Sequence, residues 1–458
     1  MITSLFKLIV QIALRIFFRK IEVTNYDALP KKGPMIIAAN HPSTFMDASV
    51  IGCFLHQKPR FLTKASVFNN PFSKWLLTNM RAIPVMRAAD SPDGKADTAF
   101  LFSKCFEKLA NGDTILIFPE GVSMHGRQLH KIKTGAARIA LGAEAAHDFK
   151  LGVKVVTIGL NYSNPRRFRS DLYLTINDPI DVSEWKEQYL KDERETVKTL
   201  TENIREQLHH QIIVTQDAEE DQLLAQIEDI YKNRLLEKFG WSGEDAEEDF
   251  KATKGLEEAL RYFKETDIDR VATLKNNLES YFHNLNQLKL HDDLFENAAE
   301  RQSFFKAGVA QLGYLIFGFP IWLYGLVNNY LPYILPSKIA YMATDYEEYI
   351  APAMMFLGIF TFSIFYSVQI WAVQHYLGMG WLTLLYALSL PLTAFFALAY
   401  WRNVENTRDQ WTLFSRFYKK SEMVAKVIQQ RAALVQELDV AKQLYLDVLE
   451  NEALVDDL

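Results

Sequence analysis

Apolar residues in this chain are segregated, not scattered. From Ala307 to Leu335, and again from Tyr349 to Trp401, there is no Asp, Glu, Lys or Arg, whereas residues 184–306 are dense in charge. Uncharged runs of this length predict a membrane-embedded region over 307–401. Tyr349–Trp401 has room for two spans of about 20 residues each, with a turn near His375 to Gly380. Residues 307–335 are too few for two spans, and Pro320, Asn328, Asn329 and Pro332 interrupt them. That pattern predicts a re-entrant or interfacial pair of half-helices whose broken backbone is covered by neighbours.

The remaining chain divides by periodicity. Residues 1–20 set Ser4, Lys7, Gln11, Arg15 and Arg19 about four apart in an apolar background. This predicts an amphipathic helix at a bilayer interface with its basic face towards headgroups; an ordinary helix covering a domain core is the alternative. Gln11 and Arg15 break the apolar core that a cleaved signal peptide needs. Over 21–183, apolar runs at 35–38, 60–62, 114–118, 153–160 and 172–176 read as strands. Helical patterns at 43–55, 72–79, 96–110 and 132–146 lie between them. Strands alternating with helices predict an α/β domain with a largely parallel sheet and its site at the strand carboxyl ends. Residues 184–306 read as helices, with stripes such as Val197, Leu200, Ile204 and Leu208, and Gly243–Asp249 reads as a solvated acidic loop. The tail, 402–458, spaces Val427, Leu434, Ala441 and Val448 by seven, which suits packing on the chain's own helices or on a partner.

Composition narrows the classes. A net charge of -6 over 458 residues is no nucleic-acid signature. Cys53 and Cys105 sit in apolar surroundings and read as buried thiols, neither a disulfide framework nor a metal site. His209-His210 lacks a third ligand at metal spacing and reads as a polar helix end.

The chemistry gathers in the α/β region. Met35–Ala39 runs into Asn40-His41-Pro42-Ser43-Thr44-Phe45-Met46-Asp47, a strand-to-helix turn that Ser43 or Thr44 could cap. An Asp47 carboxylate on Nδ1 of His41 would fix the tautomer and leave Nε2 to take a proton from a hydroxyl. Phe118-Pro119-Glu120-Gly121 ends another strand, and its glycine permits close approach to the backbone. Lys133, just before Thr134-Gly135, stands at a helix start and offers an anion site. Arg87 closes the short run Ala82–Met86 and suits bidentate phosphate binding. Arg166, Arg167 and Arg169 form a basic loop that faces headgroups, the donor's phosphates or solvent.

In order, Asn40-His41-…-Asp47, Lys64, Arg87, Phe-Pro-Glu-Gly, Lys-x-Gly and Val-Thr-Ile-Gly-Leu resemble the blocks of the glycerolipid acyltransferase family, over roughly residues 15 to 183. The resemblance implies transfer of a fatty acyl group from an acyl-CoA or acyl carrier protein thioester, with no further cofactor and no metal. The implied acceptor is glycerol 3-phosphate, dihydroxyacetone phosphate or a lysophospholipid such as 1-acylglycerol 3-phosphate. It implies His41 as general base and Asp47 as its orienting partner, with Lys64, Arg87, Glu120, Gly121, Arg127 and Lys133 around the phosphorylated acceptor. Two departures stand out: five residues separate His41 from Asp47 where the family commonly has four, and Val122-Ser123 follow Gly121 in place of Thr-Arg. Arg127 or His125 would then replace the missing charge. Both departures are similar to the fungal glycerol 3-phosphate branch, which has the longer spacing and Glu-Gly-x-Ser before Lys-x-Gly. The expected partners are membrane lipids, the thioester donor and the phosphorylated acceptor. The expected location is a bacterial inner membrane with the α/β domain and tail cytoplasmic. A membrane-anchored lipid-binding protein without turnover is the alternative from another class.

Overall fold

The computed structural model describes residues 2–86, 98–123, 126–242, 245–296, 304–419 and 421–456. The chain forms two compact units: Met1–Asp217 with Ala340–Phe356, and Ala218–Ile339 with Leu357–Leu458.

The first unit is built on a sheet of β1 (Lys20–Thr24), β2 (Met35–Ala39), β3 (Arg60–Lys64), β4 (Ile83–Val85), β5 (Thr114–Ile117), β6 (Lys154–Tyr162), β7 (Asp171–Ile176) and β8 (Ile180–Asp181). Their order is β1-β7-β6-β2-β5-β3-β4, with β8 also pairing β6. Only β6–β7 and β6–β8 are antiparallel. The central strands are continuous apolar runs because helices cover both faces. Met35, Ile37 and Ala39 face α1 (Ile2–Phe17) and α2 (Thr44–Phe54), in a core with Leu14, Phe17, Met46 and Ile51. Ile36 and Ala38 point the other way. Besides α3 (Pro71–Asn79), the unit has α4 (Thr98–Ala110), α5 (Gly135–Ala145), α6 (Lys186–Lys191) and α7 (Glu193–Gln211).

The unit runs past the expected boundary at residue 183. The Val197, Leu200, Ile204 and Leu208 stripe of α7 is buried in the same core as Ile36, Ile115 and Leu141, so that helix belongs to the sheet. β1 escapes the pattern because its five residues are all half-buried and mix polar with apolar. In α1, Val10, Leu14 and Phe17 are buried while Leu5, Leu8, Ile9, Ile12 and Ile16 are exposed. The outward face is therefore mostly apolar, with Arg15 exposed beside it. Gln11 of the polar stripe donates to the Cys53 carbonyl at 3.1 Å, and Arg15 lies over the Phe54 ring.

The second unit contains α8 (Ala218–Phe239), α9 (Ala246–Thr266), α10 (Ile268–Leu288) and α11 (Asp293–Glu296), followed by most of α12 (Phe304–Ala343) and α13 (Glu347–Leu377), then α14 (Gly380–Lys419) and α15 (Ser421–Asp456). The acidic stretch is largely helical: Asp245 caps α9 by accepting from Glu247 N–H, and Glu247, Glu248 and Asp249 fill its first turn, where the helix dipole favours them. Gly243 and Glu244 lie outside the described residues. The tail packs on the chain's own helices, through Tyr231 to Asp439 at 2.6 Å, Asn284 to Gln430 at 2.8 Å and Arg431 to Asp292 at 2.9 Å.

Glu347–Leu377 and Gly380–Glu405 are long and apolar enough to cross a membrane. Their break at Gly378-Met379 falls inside the expected turn. Residues 307–335, expected as two half-helices, lie instead in the single helix α12, with Pro320, Pro332 and Pro336 inside it. Proline frees the carbonyl four residues earlier. For Pro332 that carbonyl is Asn328, which accepts from Gln369 at 2.9 Å; for Pro336 it is Pro332, which accepts from Thr361 at 3.0 Å. Side chains of α13 thus repair two of the breaks, and the helix continues.

Candidate active site

β2, β5 and β6 are neighbours in the sheet, and β2 runs parallel to both, so the carboxyl ends of all three lie at one edge. The turn carrying His41 therefore emerges between Phe118–Ser123, after β5, and Tyr162, which ends β6. Asn40 joins the turn to the sheet: its amide donates to the Leu160 carbonyl at 3.0 Å, and its oxygen accepts from Leu160 N–H at 2.7 Å. Both bonds imitate strand pairing and hold the backbone just before His41.

His41 Nδ1 lies 2.8 Å from Oδ2 of Asp47. The same oxygen accepts from Ser43 N–H at 2.8 Å, and Oδ1 accepts from the Tyr162 hydroxyl at 2.6 Å. Asp47 is fully buried, so these three donors replace the water that a carboxylate would otherwise keep. Burial first, then the neighbouring Asp47, holds the Tyr162 hydroxyl well above its ordinary range, so it stays protonated and donates. The His41 ring stacks on Phe118, with centroids 3.7 Å apart and planes 5° apart. A carboxylate on one edge and an aromatic face against the ring leave one orientation. The His41 side chain keeps 18% of its surface exposed, and among the described residues nothing bonds Nε2. The arrangement can accept a proton from a hydroxyl brought to that edge.

Glu120, expected near the phosphorylated acceptor, bonds the protein's own backbone. It is 6% exposed, with Oε1 accepting from His41 N–H at 3.1 Å and Oε2 from His130 N–H at 3.2 Å. Burial raises its carboxyl above the ordinary carboxylate value, against the pull of those two amides. Glu120 is a brace between the His41 turn and the 130 segment. Ser123, where the common block has arginine, also braces the turn: its hydroxyl donates to the His41 carbonyl at 2.9 Å and accepts from Thr44 N–H at 3.0 Å.

Gly121 and Lys133 are brought together. Lys133 N–H donates to the Pro119 carbonyl at 2.8 Å, and Gly121 has φ +71°, where a Cβ would collide with the Lys133 side chain. Lys133 itself is exposed, one residue before the Thr134 cap of α5, which makes no side-chain capping bond. Arg127 is half-buried, with its carbonyl accepting from Thr215 N–H at 2.6 Å. Lys64 is exposed at the end of β3, which β5 separates from β2. Arg87 and His125 lie outside the described residues. Two arginines of the basic loop serve the protein itself: Arg166 pairs with Glu347 at 2.7 Å, and Arg169 reaches the Ile16 and Phe18 carbonyls at the end of α1. Sequence reasoning missed Tyr162 and gave Asn40 and Phe118 no role. Only the strand order reveals that Tyr162 meets Asp47, Phe118 the His41 ring and Asn40 the Leu160 backbone.

Residues 20–161 match the family model described as Acyltransferase. Glycerol-3-phosphate O-acyltransferase 1 of Saccharomyces cerevisiae is 30% identical over 207 residues, covering 44% of this chain and 26% of that protein. Glycerol-3-phosphate O-acyltransferase 2 of the same yeast is 39% identical over 115 residues, 25% of this chain and 15% of that protein. A chloroplastic 1-acyl-sn-glycerol-3-phosphate acyltransferase of Arabidopsis thaliana is 29% identical over 144 residues, 31% of this chain and 36% of that protein. The chain thus spans about a quarter or less of the two yeast relatives' length. Relatives from yeast and a plant lend nothing to the expected bacterial location. The His41 turn and the Phe-Pro-Glu-Gly loop with Lys133 thus lie in the segment, residues 20–161, that matches the Acyltransferase family.

Proposed function

We propose that this chain is a membrane-bound O-acyltransferase that moves a fatty acyl group from acyl-CoA or acyl carrier protein to glycerol 3-phosphate or dihydroxyacetone phosphate, in phospholipid synthesis. The observation that carries the reading is the buried Asp47 on Nδ1 of His41, with Nε2 unbonded among the described residues. A carboxylate only accepts, so Nδ1 carries the proton and Nε2 is the base. Nε2 takes the acceptor's hydroxyl proton as that oxygen bonds to the thioester carbonyl carbon. Collapse of the resulting oxyanion breaks the carbon–sulfur bond, and the departing thiolate recovers the proton from His41. The activated thioester needs no enzyme nucleophile, and a base of this kind typically contributes about 10²–10⁴-fold. Lys133, beside the Gly121 turn, is the phosphate contact on this reading, with Arg87, Arg127 and Lys64 as further cations of the same site. A lysophospholipid acceptor is the second reading, favoured by the match to the plant 1-acyl-sn-glycerol-3-phosphate acyltransferase.

The membrane arrangement belongs to the proposal. The exposed Leu5, Leu8, Ile9, Ile12 and Ile16 of α1 suit the bilayer interface. The start of α12 follows α14, through Gln311 to Thr407 and Tyr400 to the Leu315 carbonyl, while Asn329 and Pro332 meet Tyr366 and Thr361 of α13. Its two halves thus accompany different arms of the α13–α14 hairpin. At 40 residues and about 1.5 Å per residue, α12 is long enough to dip into the bilayer and return to the side it left. The basic residues after Trp401, Arg402, Arg408, Arg416, Lys419 and Lys420, favour the cytoplasm as that side on this reading. The test of function is acyl transfer by the purified full chain from labelled acyl-CoA and acyl carrier protein, with each acceptor offered in turn. Glycerol 3-phosphate or dihydroxyacetone phosphate is expected to be acylated fastest; transfer to none of the acceptors would overturn the reading.

A further inference from the structure

The first turn of α13 carries an unusual gap. Pro352 has no N–H, so the Glu348 carbonyl lacks its intrahelical donor. Thr44, the first residue of α2 and three residues beyond His41, fills it: its hydroxyl donates to the Glu348 carbonyl at 3.1 Å. Both residues lie in the first unit, since Ala340–Phe356 packs with the α/β domain, where Ala351 and Met355 share the core of Met46 and Ile51. Thr44 also sits at φ +38°, in the left-handed region that a β-branched residue avoids. Such a conformation persists only where its surroundings over-determine it. Here the restraints are Thr44 N–H on Ser123, the Ser123 hydroxyl on the His41 carbonyl, and the Thr44 hydroxyl on Glu348. Two further contacts flank them, Phe45 edge-on to Tyr349 and Arg166 paired with Glu347.

We propose that Thr44 is a positioning residue that locks the His41–Asp47 turn onto the start of α13, using the carbonyl that Pro352 leaves open. Proline at 352 and a hydroxyl at 44 are two halves of one device. The link keeps the turn in its strained geometry and registers His41 against the helix that begins the first candidate span. Thr44 touches no reacting atom and acts through the backbone of its turn. The proposal rests on the acyltransferase reading for its kinetic arm only.

The test is a double-mutant cycle in the full chain, in detergent–lipid micelles. Thr44→Val keeps the shape and removes the hydroxyl, so kcat is expected to fall about tenfold while both KM values stay within about twofold. Thr44→Ser keeps the hydroxyl and is expected to retain most of the activity. Pro352→Ala gives the Glu348 carbonyl an intrahelical N–H that competes with the Thr44 hydroxyl, so alone it is expected to lower kcat part of the way to the Thr44→Val level. In that background little of the link is left to remove, and Thr44→Val is expected to cost no more than about threefold further. Equal losses from Thr44→Val in both backgrounds would overturn the proposal. If Thr44→Val does not fold, recovery of folded protein in the double variant supports it, and failure of the double variant to fold overturns it. Thermal unfolding of the same four proteins reads the coupling without turnover. If wild type acylates nothing, the functional reading fails, while non-additive unfolding midpoints still sustain the Thr44–Pro352 link and additive ones overturn it.

Discussion

Tyr162→Phe isolates the support of the His41–Asp47 pair, the base and its partner on the proposed reading, without altering either member. The phenol is the only partner recorded for Oδ1 of Asp47 among the described residues, at 2.6 Å, and Asp47 is fully buried. Removing the hydroxyl leaves that oxygen neither bonded nor hydrated. A hydrogen bond to a charged group contributes about 1.5–3 kcal/mol, which is about 10- to 150-fold in rate if the whole of it is lost in the transition state. Oδ2 still holds His41 and Ser43, so part of the loss falls on the folded ground state. The expected fall in kcat is therefore near the low end, about tenfold, with a lower unfolding temperature. The Michaelis constants for donor and acceptor should change by less than about twofold, because Tyr162 contacts neither on this account. Continuous detection of the released thiol, with each substrate varied at saturating levels of the other, separates these parameters. A kcat within about twofold of wild type would refute Tyr162 as the support of the pair, whatever happened to stability.

Lys133→Ala should raise KM for the phosphorylated acceptor by about tenfold or more and leave that of the donor nearly unchanged, as initial rates against each substrate would show. Burial holds the Glu120 carboxyl above its unfolded-state value, so its contribution to stability is full in acid and is lost as pH rises through the raised value. Glu120→Gln should remove that downward slope from denaturation midpoints measured across the acidic range, while weakening the brace at His130. After replacement of Cys53 and Cys105, whose thiols burial pushes up to about 11 and about 12, a single cysteine placed near Lys420 should resist an impermeant reagent applied outside intact cells. Labelling from outside would overturn the cytoplasmic assignment of the tail.

The parts of the fold that could be read from sequence are those where burial writes a strong local pattern. Met35–Ala39 and Thr114–Ile117 are covered on both faces and show as unbroken apolar runs. The His41–Asp47 pair was equally legible, because six residues across one turn bring its members together whatever the rest of the chain does. Tyr162 was not, since its proximity follows from β6 lying beside β2 after more than a hundred intervening residues. The two backbone bonds of Glu120 were not legible, because a carboxylate at a strand end looks the same whether it faces ligand or two backbone amides. Pro320 and Pro332 suggested a break in α12, but Gln369, a donor from another helix, takes the carbonyl that Pro332 frees, as Thr361 does for Pro336. α7 carries an amphipathic stripe that does not say which surface will bury it, and the sheet takes it.

Acyl transfer by His41→Ala, measured beside wild type at saturating donor and acceptor, tests the role of the His41–Asp47 pair most directly. The variant removes Nε2 while Asp47 keeps the Ser43 and Tyr162 donors, so it is expected to fold and enter membranes. The account predicts a fall in kcat of about 10²–10⁴-fold, the ordinary contribution of a general base. Turnover equal to wild type would contradict it.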